Sequence, residues 1–365
     1  MGGFSLSNIK IPQIKLASGG REALSLGLDI GSHAVKICHM TKTEKGYKLL
    51  ALGSSMLPVG AVEDGTLQDP DTVAQSISTL LKNLKIKQKK VAISISGYSV
   101  IVKKINLAVM DDLALDEYIQ NEVGQYIPFD IEDVYLDYHD LKTNTEDYDR
   151  TDVMLVAAKK EVIGGYLHML ESIGLQAVIV VVDGFALENC YEANFAIDQN
   201  VALVDVGATK MSINIISQGI SVLARDVVVG SRQLTERIQD RLGLSTEDAE
   251  ALKVGRIQAE ERQKELEDIF ISTCTQWALE IKKAIDLYNT NYPDAPLSKL
   301  ILSGGGARVA GLEHFLQEET GIPAEIFDPF AKIEFDQKKI DPAYLQYIAP
   351  EMAIATGLAI RPPEL

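Results

Sequence analysis

The chain has 365 residues, of which 46% are hydrophobic and 24% are charged, proportions that suit a globular protein of two lobes. Its 52 acidic residues outnumber 35 basic ones, so the formal net charge of −17 argues against binding to nucleic acid. No hydrophobic run approaches the roughly 20 residues of a membrane-spanning helix, and no secretory signal is present. These features predict a cytoplasmic protein without a membrane span.

The first residues of the chain have a composition of their own. Residues 1–20 contain Lys10 and Lys15 but no acidic residue, and Pro12 interrupts their scattered hydrophobic side chains. This composition favours a flexible leader, which we place at residues 1–24. A second interpretation is an arm that docks on a membrane surface or on a partner protein. The composition leaves the choice open.

The segment LGLDIGSHAVKICHM, residues 26–40, predicts a buried strand, a tight turn and a second strand. Gly31 allows the backbone of the turn to approach a ligand closely, and Ser32 can donate to an anion. Asp29 ends the first strand, where its carboxylate can hold a divalent cation through water. Lys36, on the second strand, can reach an oxyanion as a point charge. By itself, this pattern is more typical of an ordinary turn than of a functional site.

The next part of the chain alternates between predicted strands and helices. The helix from Asp69 to Leu84 carries its apolar residues on one face. Residues from about 107 to 175 then follow a β-α-β-β-α-β order, which is typical of a small self-contained α/β unit. We therefore predict a first lobe at residues 25–200, with an inserted subdomain at about 107–175.

The segment VALVDVGATKMSINII, residues 201–216, repeats the design of the opening hairpin. Asp205, Gly207 and Thr209 take the places of the aspartate, glycine and serine of the first turn. Each lobe would then present one phosphate-holding hairpin to a shared cleft. This repeat predicts a second lobe at residues 201–345, with a small subdomain at about 231–270.

The last motif of the second lobe is a triple glycine. A predicted strand at Lys299 to Ser303 leads into Gly304, Gly305 and Gly306, which precede a helix. Glycines between a strand and a helix admit the close approach of a flat or phosphorylated ligand, although such a loop is as often only a tight turn. Residues 346–365 are predicted to form a helix that returns to the first lobe.

The turns DxGS and DxGxT and the strand-GGG-helix loop occur in the order that resembles the nucleotide site of the actin, sugar-kinase and DnaK-type chaperone superfamily. The resemblance covers nearly the whole chain. It implies a two-lobed α/β, actin-like (ribonuclease H-like) ATPase fold that binds ATP and Mg²⁺. It assigns the first phosphate motif to Asp29, Gly31, Ser32 and Lys36, the second to Asp205, Gly207, Ala208 and Thr209, and the adenosine motif to Gly304, Gly305 and Gly306.

The same resemblance implies roles for four acidic residues and one lysine. Glu250 and Lys253 resemble the pair that brackets adenine and ribose, although Glu-x-x-Lys on a helix is equally typical of an exposed salt bridge. Asp29 and Asp205 would hold the magnesium ion and, with Asp183, form the catalytic set. Asp183 resembles the position that orients metal or attacking water in chaperone relatives, but it is followed here by glycine where those relatives carry proline. Slow and efficient hydrolysis therefore both stay open.

The inserted subdomain resembles that of the division protein FtsA and that of the PilM family of type IV pilus assembly. Three stretches are similar to the PilM family: residues 26–40, NEVGQYIPFDIEDVYLDY at 121–138, and VVDGFALENCYE at 181–192. An FtsA-like protein would be expected to end in a basic amphipathic helix, which residues 360–365 do not resemble. The chain is therefore identified as a member of the PilM family, within the FtsA-like branch of the superfamily.

The family resemblance implies an ATP-binding scaffold of pilus assembly and twitching motility. Such a scaffold binds the cytoplasmic N-terminal tail of the inner-membrane protein PilN in a groove of the first lobe, and this partner recruits it to the membrane. The resemblance further implies contacts with other inner-membrane and motor components and a homo-oligomeric ring. Two alternatives are an FtsA-like division protein and a small-molecule kinase of the same superfamily. A kinase would need a base beside its substrate, and the sequence marks none.

Overall fold

The computed structural model describes residues 14–15, by their backbone alone, and residues 26–141, 149–195 and 199–360. In chain order, its strands are β1 (Ile14–Lys15), β2 (Leu26–Ile30), β3 (Ala34–Thr43), β4 (Gly46–Met56), β5 (Val62–Glu63), β6 (Thr66–Leu67), β7 (Lys90–Ile95), β8 (Val100–Ala108), β9 (Val134–Asp140), β10 (Arg150–Lys159), β11 (Gln176–Val182), β12 (Val201–Val206), β13 (Met211–Ser217), β14 (Ile220–Val227), β15 (Lys299–Ser303), β16 (Ala324–Ile326) and β17 (Glu334–Phe335). Its helices are α1 (Pro70–Asn83), α2 (Asp112–Glu122), α3 (Lys160–Ser172), α4 (Asp183–Asn194), α5 (Ser231–Leu242), α6 (Thr246–Lys253), α7 (Gln263–Asn291), α8 (Leu312–Thr320), α9 (Pro342–Ile348) and α10 (Ala353–Ile360).

Local sequence accounts for the first helix. The Asp69 carboxylate accepts a hydrogen bond from the amide of Thr72 at 3.1 Å and so caps α1, and Pro70 occupies its first position. Val73 and Ile77 are fully buried on the face that the helical spacing predicts. Within residues 26–141, 149–195 and 199–360, no helix has both the length and the hydrophobicity that crossing a membrane requires.

Two large sheets repeat one topology. The first-lobe sheet has the order β1-β11-β7-β2-β3-β4-β17, and the second-lobe sheet has the order β14-β13-β12-β15-β16. In each sheet three consecutive antiparallel strands, β2-β3-β4 or β12-β13-β14, are extended by two strands parallel to the first of them. The hairpin repeat that the sequence predicts therefore belongs to a larger repeat, in which the sheets of the two lobes share one topology.

Helices α4 and α10 lie between the two sheets. Their apolar side chains form one cluster with Ala92 and Ile179 of the first lobe and with Leu203 and Ile301 of the second. Helix α10 also packs against β2 and β3, so the chain returns to the first lobe before residue 360. The two helices thereby connect the two lobes through a shared apolar cluster.

The inserted subdomain is a three-stranded sheet, β8-β10-β9, with α2 packed on it. Helix α3 instead joins the core of the first lobe, where Ile163 and Leu170 pack in one cluster with Val73 and Ile77 of α1. The sheet of this unit thus spans Val100 to Lys159, whereas the sequence pattern predicts limits of about 107 and 175. The order of elements along the chain does not reveal which sheet a strand joins, and β11 pairs with β7 of the first lobe.

Strand β1 is the described part of the predicted leader. Ile14 pairs antiparallel with Val180, and Lys15 pairs with Ile179, so β1 extends the first-lobe sheet beyond β11. It also contacts β9 of the inserted subdomain. An extended segment therefore lies at the seam between this sheet and the subdomain. The other residues of the predicted leader lie outside the described ranges, so its flexible and docking interpretations stay predictions.

Candidate functional site

A cavity of about 300 Å³ lies between the two lobes at the turns of the two repeated hairpins. This volume is at the lower end of the range of small-molecule sites. The structure brings together nearly all residues that the sequence assigns to a nucleotide site, because every one except Gly306 lines the cavity: Asp29, Gly31, Ser32, Lys36, Asp183, Asp205, Gly207, Ala208, Thr209, Glu250, Lys253, Gly304 and Gly305.

Asp29 and Lys36 form an ion pair on the first hairpin. They are directly opposite each other in the register of β2 and β3, and the Lys36 Nζ lies 2.8 Å from the Asp29 Oδ2. Burial raises the pKa of Asp29 above its usual value, against the opposing effect of the Lys36 charge. Burial alone would lower the pKa of Lys36, but the charges of Asp29, Glu351 and Asp205 and the hydrogen bond to Asp29 together raise it above its ordinary value. Lys36 is therefore charged, and its ammonium is paired with the Asp29 carboxylate.

Asp205, the corresponding residue of the second hairpin, has no comparable partner. No donor among the described residues forms a hydrogen bond with its carboxylate. Burial and the neighbouring charges of Asp29 and Asp183 raise its pKa to about 7, although Lys36 and Lys210 oppose this shift. A carboxylate with so little compensation fits a divalent cation, which would supply the missing charge.

The described residues cannot enclose a metal ion by themselves. In these parts of the chain, no group of three or more histidine, cysteine, aspartate or glutamate side chains is arranged to hold one. Magnesium usually keeps several water ligands and takes one or two carboxylates together with phosphate oxygens. The predicted ligands Asp29 and Asp205 fit that kind of site, in which most ligands come from water and phosphate.

Replacing Asp205 by asparagine is expected to stabilise the metal-free protein, more at pH 8 than at pH 5. The pKa of Asp205 is about 7 in the folded protein, against an ordinary value of 3.8, so the folded state holds the extra proton between these values. The wild type therefore loses stability as pH rises through this window, while the neutral variant does not. We expect the gain to reach about 4 kcal/mol at pH 8, against about 2 kcal/mol at pH 5. Urea unfolding in the presence of a chelator measures the free energy of unfolding at each pH. The control is Asp240→Asn, which replaces an exposed carboxylate. An equal gain at both pH values, or the same gain in the control, would contradict the prediction.

Asp183 begins α4 and faces Lys210 of the second hairpin. The Lys210 Nζ lies 3.0 Å from the Asp183 Oδ2. Burial alone would raise the pKa of Asp183, but the Lys210 charge and hydrogen bonds, including one from Ser96, keep it below its ordinary value. Asp183 is thus a charged partner of a lysine and a weak proton acceptor. Lys210 is a site residue that the sequence interpretation missed, although it directly follows Thr209.

The two hairpin turns contact each other across the cleft. The Thr209 hydroxyl donates to the Ser32 Oγ at 2.8 Å, and the Arg232 guanidinium donates to the Ser32 carbonyl oxygen at 3.1 Å. Arg232 lies at the start of α5 and belongs to no recognised motif. These contacts hold the hydroxyl groups that can donate to an anion within the same small volume.

Glu250 and Lys253 lie on α6 and form the predicted salt bridge, with 2.7 Å between Lys253 Nζ and Glu250 Oε1. The lysine side chain is only 5% exposed, whereas that of the glutamate is 41% exposed. Burial lowers the pKa of Lys253 more than the Glu250 charge raises it. The pair is therefore both an i,i+3 salt bridge and part of the cavity wall, with its lysine on the inner side.

The three glycines after β15 have different surroundings. Gly304 has a φ of +83°, and a Cβ there would lie 2.5 Å from the Val206 carbonyl oxygen. A Cβ on Gly306 would lie 2.5 Å from the Val206 Cγ1. A Cβ on Gly305 would be in ordinary van der Waals contact with two side chains, Glu351 Oε2 at 3.7 Å and Arg308 Nη2 at 3.8 Å. Gly304 and Gly306 thus allow the loop to pack on β12, whereas Gly305 lines the cavity without a close backbone contact of this kind.

Two further residues of the cavity wall come from distant parts of the chain. Arg308 donates to Glu351 with 2.8 Å between Nη2 and Oε2, and its guanidinium lies over the ring of Tyr347, 4.6 Å from the ring centroid. Arg308 follows the triple glycine by two positions, which is the one local signal for it. Glu351 has no motif, because only the return of the chain at α9 and α10 brings it to the cleft.

A family model described as "Type IV pilus assembly protein PilM" matches residues 27–362 of the chain. A solved structure described as "PilM-PilN type IV pilus biogenesis complex" is similar over 95% of this chain and 100% of that chain. The TM-score is 0.82 and the sequence identity is 27%. The match extends over both lobes and the inserted subdomain.

Two more distant structures share the fold. Ethanolamine utilization protein EutJ from Carboxydothermus hydrogenoformans has a TM-score of 0.57 and 15% identity, over 95% of this chain and 92% of that chain. MreB5 of Spiroplasma citri bound to ADP has a TM-score of 0.52 and 11% identity, over 91% and 94%. At these identities the likeness concerns the fold alone. It confirms the prediction of a two-lobed, actin-like α/β fold.

Proposed function

The chain belongs to the type IV pilus assembly PilM family, and from this membership we propose that it is an ATP-binding, actin-like scaffold that binds the cytoplasmic tail of a PilN-type membrane protein. The observation that carries the nucleotide part is the interlobe cavity, which is lined by both Asp-x-Gly hairpins and by the glycine loop after β15. The structure of a PilM-PilN complex supports the partner.

Each group of cavity residues suits one part of magnesium ATP. The hydroxyls of Ser32 and Thr209 would donate to phosphate oxygens, and Asp205 would hold the magnesium ion through water. Gly305 and Lys253, which both line the cavity, would contact the nucleoside. The bound ion would neutralise phosphate charge and orient the phosphates.

The same geometry favours slow turnover. A general base must be able to accept a proton near the operating pH. Asp183, the candidate that the family resemblance implies, is paired with a lysine and has a lowered pKa. We therefore propose that the nucleotide is held for a conformational role and that any hydrolysis is slow.

The seam between β11 and β9 is the proposed site of the partner tail. An edge strand presents unpaired backbone groups to which an extended peptide can add. What supports this position is strand β1, which pairs there with β11 over two residues and also contacts β9. A partner tail on the same edge would displace β1. Location at the inner face of the membrane would then follow from the partner, while contacts with motor components and a ring stay predictions of the family resemblance.

A fluorescent peptide with the sequence of the PilN-type tail is expected to bind the full chain saturably, as measured by fluorescence anisotropy. Magnesium ATP is expected to bind in a separate calorimetric titration, because its site is the interlobe cavity. A chain without residues 1–25 should bind the peptide at least as tightly, since β1 no longer covers the edge. A scrambled peptide is the control. Equal binding of both peptides would reject the partner, and no calorimetric signal would reject the nucleotide.

A further inference from the structure

One corner of the cavity is closed by groups from both lobes, which we call the interlobe ring: Asp183, Ser96 and Gly97 from the first lobe, and Lys210 and Asp226 from the second. Lys210 Nζ lies 3.0 Å from Asp183 Oδ2 and 3.4 Å from Asp226 Oδ2. The Gly97 amide donates to Asp226 Oδ2 at 2.8 Å. Ser96 directly precedes Gly97, and its side chain helps to keep the pKa of Asp183 low.

Asp226 has two competing partners on a single oxygen atom. Both the Lys210 ammonium and the Gly97 amide are bound to its Oδ2, while its Oδ1 accepts from the Ser212 hydroxyl at 2.6 Å. A carboxylate oxygen that is shared with an ammonium has less negative charge available for a second donor. The strength of the Gly97 contact therefore depends on where Lys210 is.

Gly97 lies where the chain enters the inserted subdomain. It is in the turn between β7 and β8, and its carbonyl oxygen accepts from the Val100 amide at 3.0 Å. The turn has no room on its other side, because a Cβ on Gly97 would lie 2.4 Å from the Asp64 carbonyl oxygen. Gly97 also has a φ of +91°. A change in its bond to Asp226 is thus passed directly to the first strand of the subdomain.

The subdomain touches the second lobe at further points along the same strand. Strand β8 contacts β14, the strand that bears Asp226. The Lys104 ammonium, on β8, donates to the Tyr292 hydroxyl at the end of α7 with 2.5 Å between the two atoms. Lys104 also forms an ion pair with Asp152 of β10 at 2.8 Å. The inserted subdomain is therefore attached to both lobes, and it carries one side of the β11–β9 seam.

We propose that Lys210 and Asp226 form a switch through which a phosphoryl anion in the cavity controls the attachment of the inserted subdomain. An anion within reach of Lys210 draws its ammonium away from Asp226 rather than from Asp183. The contact with Asp226 is the longer of the two, and the Asp226 side chain is 30% exposed, against 13% for that of Asp183. Asp226 Oδ2 then accepts from the Gly97 amide and no longer from Lys210, and the turn before β8 is held more tightly. This inference rests on the proposed nucleotide site and gives it a consequence, namely that nucleotide changes the affinity for the partner tail.

Hydrogen exchange at the Gly97 amide tests the switch directly, because this amide is the donor to Asp226. In the wild type, a non-hydrolysable ATP analogue with magnesium is expected to slow exchange by about fivefold, the effect of strengthening one hydrogen bond. In Lys210→Met the amide should be slowed without nucleotide, since Asp226 has lost its other partner. In Asp226→Ala exchange should be fast with and without nucleotide. The matched control is Asp286→Ala, which removes an exposed carboxylate of α7 and should behave as the wild type.

Two results would overturn the switch. One is a nucleotide-dependent change at Gly97 that persists in Lys210→Met, and the other is unchanged exchange in that variant without nucleotide. Calorimetry on the wild type separates this failure from failure of the proposed function. If nucleotide binds and Gly97 does not respond, only the switch is rejected, whereas absence of nucleotide binding rejects both. The PilN-type peptide provides the second readout, because its affinity should depend on nucleotide in the wild type and not in Asp226→Ala.

Discussion

Replacing Gly357 by alanine is expected to destabilise the protein by about 4 kcal/mol or more, or to prevent folding. Gly357 lies in α10, and a Cβ there would be 1.7 Å from the carbonyl oxygen of Ala186 in α4. The Cβ would be bonded directly to the backbone of α10, and the carbonyl oxygen belongs to the backbone of α4, so neither atom can turn aside as the end of a flexible side chain would. The two helices would have to separate, and with them the cluster that joins the sheets of the two lobes.

Helix propensity predicts the opposite sign for this substitution. Alanine is the better helix former by about 1 kcal/mol, so an isolated helix would gain from the change. Gly164→Ala is the matched control, since Gly164 lies in α3, has no positive φ, and has no neighbouring atom within 4 Å of the position that a Cβ would occupy. We expect the control to be neutral or slightly stabilising in chemical unfolding. A Gly357→Ala protein as stable as the wild type would contradict the packing of α10 on α4.

Replacing Asp29 by alanine is expected to cost about 3–5 kcal/mol of stability as well as affinity for magnesium ATP. The reason is Lys36, whose ammonium lies 2.8 Å from Asp29 with its side chain only 16% exposed. Removal of the carboxylate leaves the Lys36 ammonium in the protein interior without its hydrogen-bonded partner, so that only the charges of Glu351 and Asp205 offset its own. The loss should appear in urea unfolding of the nucleotide-free protein.

A second substitution separates the structural effect from the binding effect. Adding Lys36→Met to Asp29→Ala removes the unpaired charge, so the double variant should recover a large part of the lost stability. It should not recover affinity for magnesium ATP, because the carboxylate is still absent. Recovery of both properties would mean that Asp29 acts only by holding Lys36. Equal instability of the single and double variants would show that the loss has another origin.

The sequence alone determined the features that depend on neighbouring residues. The Asp-x-Gly turn and the strands on either side follow from residues 26–40 alone. The structure added the pairing of Asp29 with Lys36, seven residues apart on this hairpin. The repeat of this hairpin predicted the duplicated lobe. The family assignment rests on the first hairpin, residues 26–40, together with the stretches at 121–138 and 181–192, and the match over residues 27–362 confirms it.

Tertiary structure decided whatever depends on residues that are far apart in the chain. Lys210 meets Asp183 across 27 positions, and Arg232 meets Ser32 across 200, because the turns of both hairpins lie at the cleft between the lobes. The boundary of the inserted subdomain depends on which sheet β11 joins, and the packing role of Gly306 depends on the distance between two strands. Such distances result from the packing of all elements together. A local sequence pattern reflects the hydrogen bonds and the periodicity of one element. It does not determine which residues of other elements pack against that element.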